Sequence, residues 1–103
     1  MKLVIPKKID VSYGIGFRPI EYTVERDPKL SKTLLGQTVY GKYLIRLTTK
    51  RLSRYEKEQA FWHEVTHAIL NEMPEWKHVN CEAFVEPFSR RLHTAITSVE
   101  FKR

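Results

Sequence analysis

The chain has 103 residues, enough for one small domain and too few for two. Hydrophobic residues make up 42%, an ordinary share for a globular protein, and the single cysteine, Cys81, excludes an intrachain disulfide scaffold and suits a reducing compartment. The net charge of +6 is uneven, with 13 Lys/Arg against 5 Asp/Glu in residues 1–57 and 5 against 7 in residues 58–103. A basic first half can attract an acidic partner such as nucleic acid, or simply form a solvated surface. Net charge is the sole support for nucleic acid, because no aromatic-interleaved basic repeat accompanies it.

The opening MKLVIPKKID has only three consecutive apolar residues before Pro6. It reads as neither a signal peptide nor a membrane span, and no later run approaches the ~18 apolar residues of a span. A cytoplasmic protein with no membrane partner is expected. Ile9, Val11 and Tyr13 then alternate with Asp10 and Ser12, and Ile20, Tyr22 and Val24 alternate with Glu21 and Thr23. Both segments have the period of two of half-buried strands. Gly14, Gly16 and Pro19 punctuate the gap, and Asp27-Pro28 marks a turn. Residues 29–38 suit either a loop or a short helical turn. Val39 to Leu47 reads as a third strand, with Val39, Tyr43, Ile45 and Leu47 on one face.

Helical signals follow. Ser53-Arg54-Tyr55-Glu56 matches a capping box that starts a helix over about 54–72. Phe61, Val65, Ala68 and Ile69 recur at helical spacing and should face the core. Pro74 ends that helix or lies just beyond it. A second helix is expected over 80–97, with Phe84, Phe88, Leu92 and Ile96 along one face. Pro87 either kinks it or moves its start toward Glu86. The fold class is α+β in a single domain over 1–103. It should have a small antiparallel sheet of about three strands, then two helices.

The chemistry lies in His63-Glu64-Val65-Thr66-His67. Four residues of helix advance about 400°, so both imidazoles leave one face a turn apart. That spacing lets two neutral nitrogens bind one Zn²⁺. Glu64 lies beside that face, placed to reach a water rather than the metal. A catalytic zinc site needs a third protein ligand and an open position. Glu82, Glu86, His78, Cys81 and His93 are the candidates. Glu86 can equally be a supporting or solvent-facing carboxylate, Cys81 a small buried hydrophobe, and His78 and His93 surface or helix-face residues. With three ligands in place, Glu64 would act as general base for water attack on a peptide carbonyl.

The segments LSRYEKEQAFWHEVTHAILNEM and CEAFVEPFSRRL resemble small HExxH metallopeptidase-like proteins of phages and mobile elements, within the wider ImmA/IrrE-like group of zincins. YGKYLIRL is similar to the strand before the active-site helix in that group, and PKKIDV and EYTVE are similar to its first strands. The group's downstream motif is a Glu followed three, four and six residues later by Ala, Asn and Phe. Glu82 takes the Glu position and Phe88 matches, whereas Val85 and Glu86 depart and Pro87 is added. The resemblance implies a zincin-like domain with Glu82 as third zinc ligand. It also implies limited cleavage of a regulatory protein, typically a repressor. The amino-terminal helix of larger members is not evident. Two other readings compete: a non-catalytic interaction module binding a host or phage regulator through the basic half, and a structural zinc domain closed by Cys81 or a further histidine. Glu64 argues against the first, since it is not a metal ligand. A closed site would leave no place for water.

Overall fold

A computed structural model describes residues 5–73 and 81–99. Strands β1 (Lys8–Asp10), β2 (Glu21–Asp27), β3 (Gly36–Val39) and β4 (Leu44–Thr48) precede helices α1 (Arg54–Asn71) and α2 (Glu82–Thr97). The strands form one sheet in the order β1-β2-β4-β3. β1 pairs antiparallel with β2, and β3 antiparallel with β4, but the central pair β2 and β4 is parallel. The sheet is therefore mixed and four-stranded, where an antiparallel sheet of about three strands was expected.

The difference arises at residues 39–47, which are not one strand. The chain turns through a 3-10 segment at Tyr40–Lys42, and Tyr43 takes a left-handed conformation with φ 48°. Such a residue other than glycine costs about 1–2 kcal/mol. Its ring packs edge-on against Tyr22, at 5.5 Å between centroids, and its carbonyl accepts from Thr23 N–H. This reversal folds Gly36–Val39 back on Leu44–Thr48, with Thr38 opposite Ile45. Residues 29–38 thus divide into turns followed by β3. The expected alternation through Tyr13 also stops early, because β1 ends at Asp10 and Tyr13 is 90% exposed.

Tyr22, Ile45, Leu47, Phe61, Val65 and Ala68 form the core where one face of the sheet meets α1. Ile69 is partly buried against it. At the start of α1, Ser53 Oγ accepts from Glu56 N–H and Glu56 Oε1 accepts from Ser53 N–H, each at 3.1 Å. This is the expected capping box; such a cap is worth about 1 kcal/mol. Pro74 and His78 lie outside the described residues.

α2 begins at Glu82 despite Pro87. The Cys81 carbonyl accepts from Phe84 and Val85 N–H at 3.0 and 2.9 Å, which closes the first turn upstream of the proline. Proline removes the bond that would reach the Ala83 carbonyl, and Ala83 is exposed, so water can satisfy that oxygen. The buried face of α2 is Val85, Ser89 and His93, one residue on from the expected Phe84-Phe88-Leu92-Ile96 stripe. Phe84 and Phe88 instead stack on each other at 5.2 Å beside the interface. Among the described residues no helix is long and apolar enough to cross a membrane.

Candidate metal centre

α1 presents His63 and His67 on one face, with ring centroids 5.1 Å apart. α2 brings Glu82 against both. His67 Nε2 lies 2.7 Å from Glu82 Oε1, and His63 Nε2 lies 2.9 Å from Glu82 Oε2. One donor atom from each of the three residues falls within 4.8 Å of the others. Two imidazoles and a carboxylate converging this closely suit a divalent ion of zinc's class.

The remaining candidates separate cleanly. Glu86, one turn beyond Glu82, accepts from the other nitrogen of His63, with Nδ1 to Oε2 at 2.9 Å. A carboxylate on Nδ1 fixes the ring and directs Nε2 toward the group. Burial pulls the Glu86 carboxyl upward. The hydrogen bond and charge of Arg90, together with His63, outweigh that and hold it below the usual range. Cys81 is the residue preceding α2 and is not part of the donor group. His93 is fully buried elsewhere between the helices. Its Nδ1 bonds Gln59 Oε1 at 3.1 Å and its Nε2 bonds Glu58 Oε1 at 3.0 Å. Gln59 Nε2 reaches Ser89 Oγ at 3.4 Å, and Arg54 Nε reaches Glu58 Oε2 at 3.1 Å. This polar seam sets how α2 sits on α1, and so where Glu82 and Glu86 arrive.

Glu64 stands next to this donor group but outside it, only 7% exposed. Thr38 on β3 donates its hydroxyl to Glu64 Oε1 at 2.8 Å. Burial raises the Glu64 carboxyl above the ordinary range. Thr38, His63 and His67 oppose the rise, and the charge of Glu82 adds to it. A carboxylate shifted upward is better matched to accepting a proton near neutrality. Gly36, two residues back along β3, makes room for it. A Cβ there would stand 2.8 Å from Glu64 Cγ and 3.2 Å from Oε2.

The group opens into a cavity of about 570 Å³ between β3, α1 and α2, whose wall includes Leu34, Leu35, Tyr40, Tyr55, Ala60 and Arg90. Thr38, Gly36, Tyr40 and the Glu86 contact carry no motif in the sequence. Only the four-residue spacing of Glu86 and Arg90 hints at their pairing. No protein-family model, no curated protein and no solved structure matches this chain.

Proposed function

We propose that this chain is a zinc-dependent endopeptidase acting on a protein such as a repressor or another regulator. The observation that carries the reading is the convergence of His63, His67 and Glu82 beside a buried Glu64 that is not one of their group. The resemblance of HEVTH and CEAFVEPFS to ImmA/IrrE-like zincins points the same way. Zinc, when bound by these three residues, supplies a Lewis acid that acidifies water and stabilises charge on a carbonyl. Glu64 accepts the water's proton. Thr38 occupies Oε1, so Oε2 is the oxygen left to receive it, and Glu64 returns the proton to the departing amine. Glu86 keeps His63 oriented throughout. β4 lies inside the sheet, so strand addition by an extended substrate falls to the edge strand β3, whose residues 36–38 line the cavity.

Metal content by mass spectrometry tests the site, and cleavage of a denatured protein substrate tests the chemistry. About one zinc per chain is expected in wild type, sharply reduced in Glu82→Ala. Glu64→Gln should keep the zinc and lose cleavage. Cleavage that survives Glu64→Gln refutes the mechanism, and zinc unaffected by Glu82→Ala refutes the ligand set.

A further inference from the structure

α1 turns one stripe of its surface to the cavity well before the histidines: Glu56, Gln59 with Ala60, and His63 lie on the wall at steps of three or four. At 1.5 Å per residue, the seven steps from Glu56 to His63 span about 10 Å, the reach of about three residues of extended peptide. Ala60 shares a second, smaller cavity with Leu35, which puts the segment before β3 beside the first turns of α1. Leu34, Leu35 and Tyr55 on the main wall are 40%, 44% and 52% exposed, so apolar surface there is left open to solvent.

Glu56 is the carboxylate of this stretch, and the capping box fixes it. Its Oε1 accepts from Ser53 N–H at 3.1 Å, which uses one of about four lone-pair sites on the carboxylate. Hydrogen bonding to the Ser53 backbone and side chain holds the Glu56 carboxyl below the usual range, so it is ionised at neutral pH. The other charged groups of the wall are engaged elsewhere. Glu82 bonds His63 and His67, Glu86 bonds His63, Glu64 accepts from Thr38, and Arg90, which also approaches Tyr55, has its charge offset by Glu86. Among the neutral groups, Gln59 bonds Ser89 and His93, Thr33 pairs with Ser31, and Tyr40 lies in the field of Glu64 and Glu82. Gln37 is on the face of β3 opposite Gly36 and Thr38, across from Arg46.

We propose that this stretch is a subsite for a lysine or arginine side chain of the substrate, its aliphatic stem lying on Leu34, Leu35 and Tyr55 and its cationic head meeting Glu56. Long cationic side chains divide in this way, with the stem on apolar surface and the head in water. The inference rests on the metallopeptidase reading and names its substrate class: a polypeptide with a cation about three residues from the cleaved bond. The chain's net charge of +6 does not oppose this, because charges more than about 8 Å apart are largely screened at physiological salt.

Reduced, denatured serum albumin serves as the probe, with cut bonds mapped by mass spectrometry. Among wild-type cuts, Lys and Arg should be enriched about two- to fivefold near the third residue on one side of the bond, the range for an exposed ion pair. Glu56→Gln keeps a capping acceptor and removes the charge, so its circular dichroism should match wild type while the enrichment disappears. Wild-type cuts with no cationic preference, or with an apolar residue in the cation's place, overturn the subsite. Enrichment that persists in Glu56→Gln overturns the role of Glu56. A wild type that cuts no bond overturns the metallopeptidase reading beneath the inference, a result distinct from either.

Discussion

Gly36→Ala adds one methyl group at the closest approach of strand and helix in the site. The backbone tolerates it, since Gly14 and Gly16 are the positive-φ glycines among the described residues and Gly36 is not. The added carbon would lie 2.8 Å from Glu64 Cγ, 3.2 Å from Glu64 Oε2 and 3.3 Å from the Arg46 carbonyl oxygen. Carbon atoms pack best at about 3.5–4.0 Å, so Glu64 must retreat by roughly 1 Å. Its carboxylate then leaves the Thr38 hydroxyl, now at 2.8 Å. Overpacking of this kind costs about 1–3 kcal/mol, and the stiffer unfolded chain of alanine returns about 0.4–1 kcal/mol. A net loss of about 1–2 kcal/mol follows. A misplacement of about 1 Å lowers catalysis on the order of 100-fold. The ligands do not touch position 36, so metal content should hold. Chemical denaturation, metal analysis and cleavage rate together check this. A variant that cleaves at the wild-type rate would show that Glu64 does not work from the position beside β3, and one that loses metal would show that Gly36 supports the ligands.

Glu64→Gln should make the metal-free protein more stable than wild type at pH 7. Folding raises the Glu64 pKa, so its stabilising contribution is present below the unfolded carboxylate pKa and is lost as pH rises through the folded value. The Tm advantage of the glutamine variant should therefore shrink on acidification, and a pH-independent difference would contradict the burial argument. Glu86→Gln should weaken zinc binding by about 10- to 100-fold in a competition with a chelator, through loss of the carboxylate that orients His63. His93→Leu removes a fully buried partner of Glu58 and should cost about 3–5 kcal/mol in urea unfolding. A cost below about 1 kcal/mol would mean the helix interface does not depend on that seam.

Much of the site is legible in the chain because it is local. The period of an α-helix puts His63 and His67 on one face whatever surrounds them, and the Ser53–Glu56 box starts that helix by bonds spanning three residues. Glu82 was named as third ligand by resemblance, and the donor group contains it. Other features depend on residues distant in sequence. The break at Tyr40–Tyr43 that turns a supposed single strand into β3 and β4 is held by Tyr22 and Thr23, some 20 residues away. The face of α2 that is buried is chosen by Glu58 and Gln59 on α1, which draw in Ser89 and His93 rather than the phenylalanines. That choice of face is also what brings Glu86 to His63. Gly36 and Thr38 acquire meaning only when β3 becomes the sheet edge beside α1. The sequence by itself determined the His63–His67 pair and its helix, because backbone periodicity needs no partner. Tertiary structure alone decided the parallel centre of the sheet, the strand whose Thr38 bonds Glu64 and the carboxylate that bonds His63. Each of these depends on packing between segments whose separation along the chain carries no periodic signal.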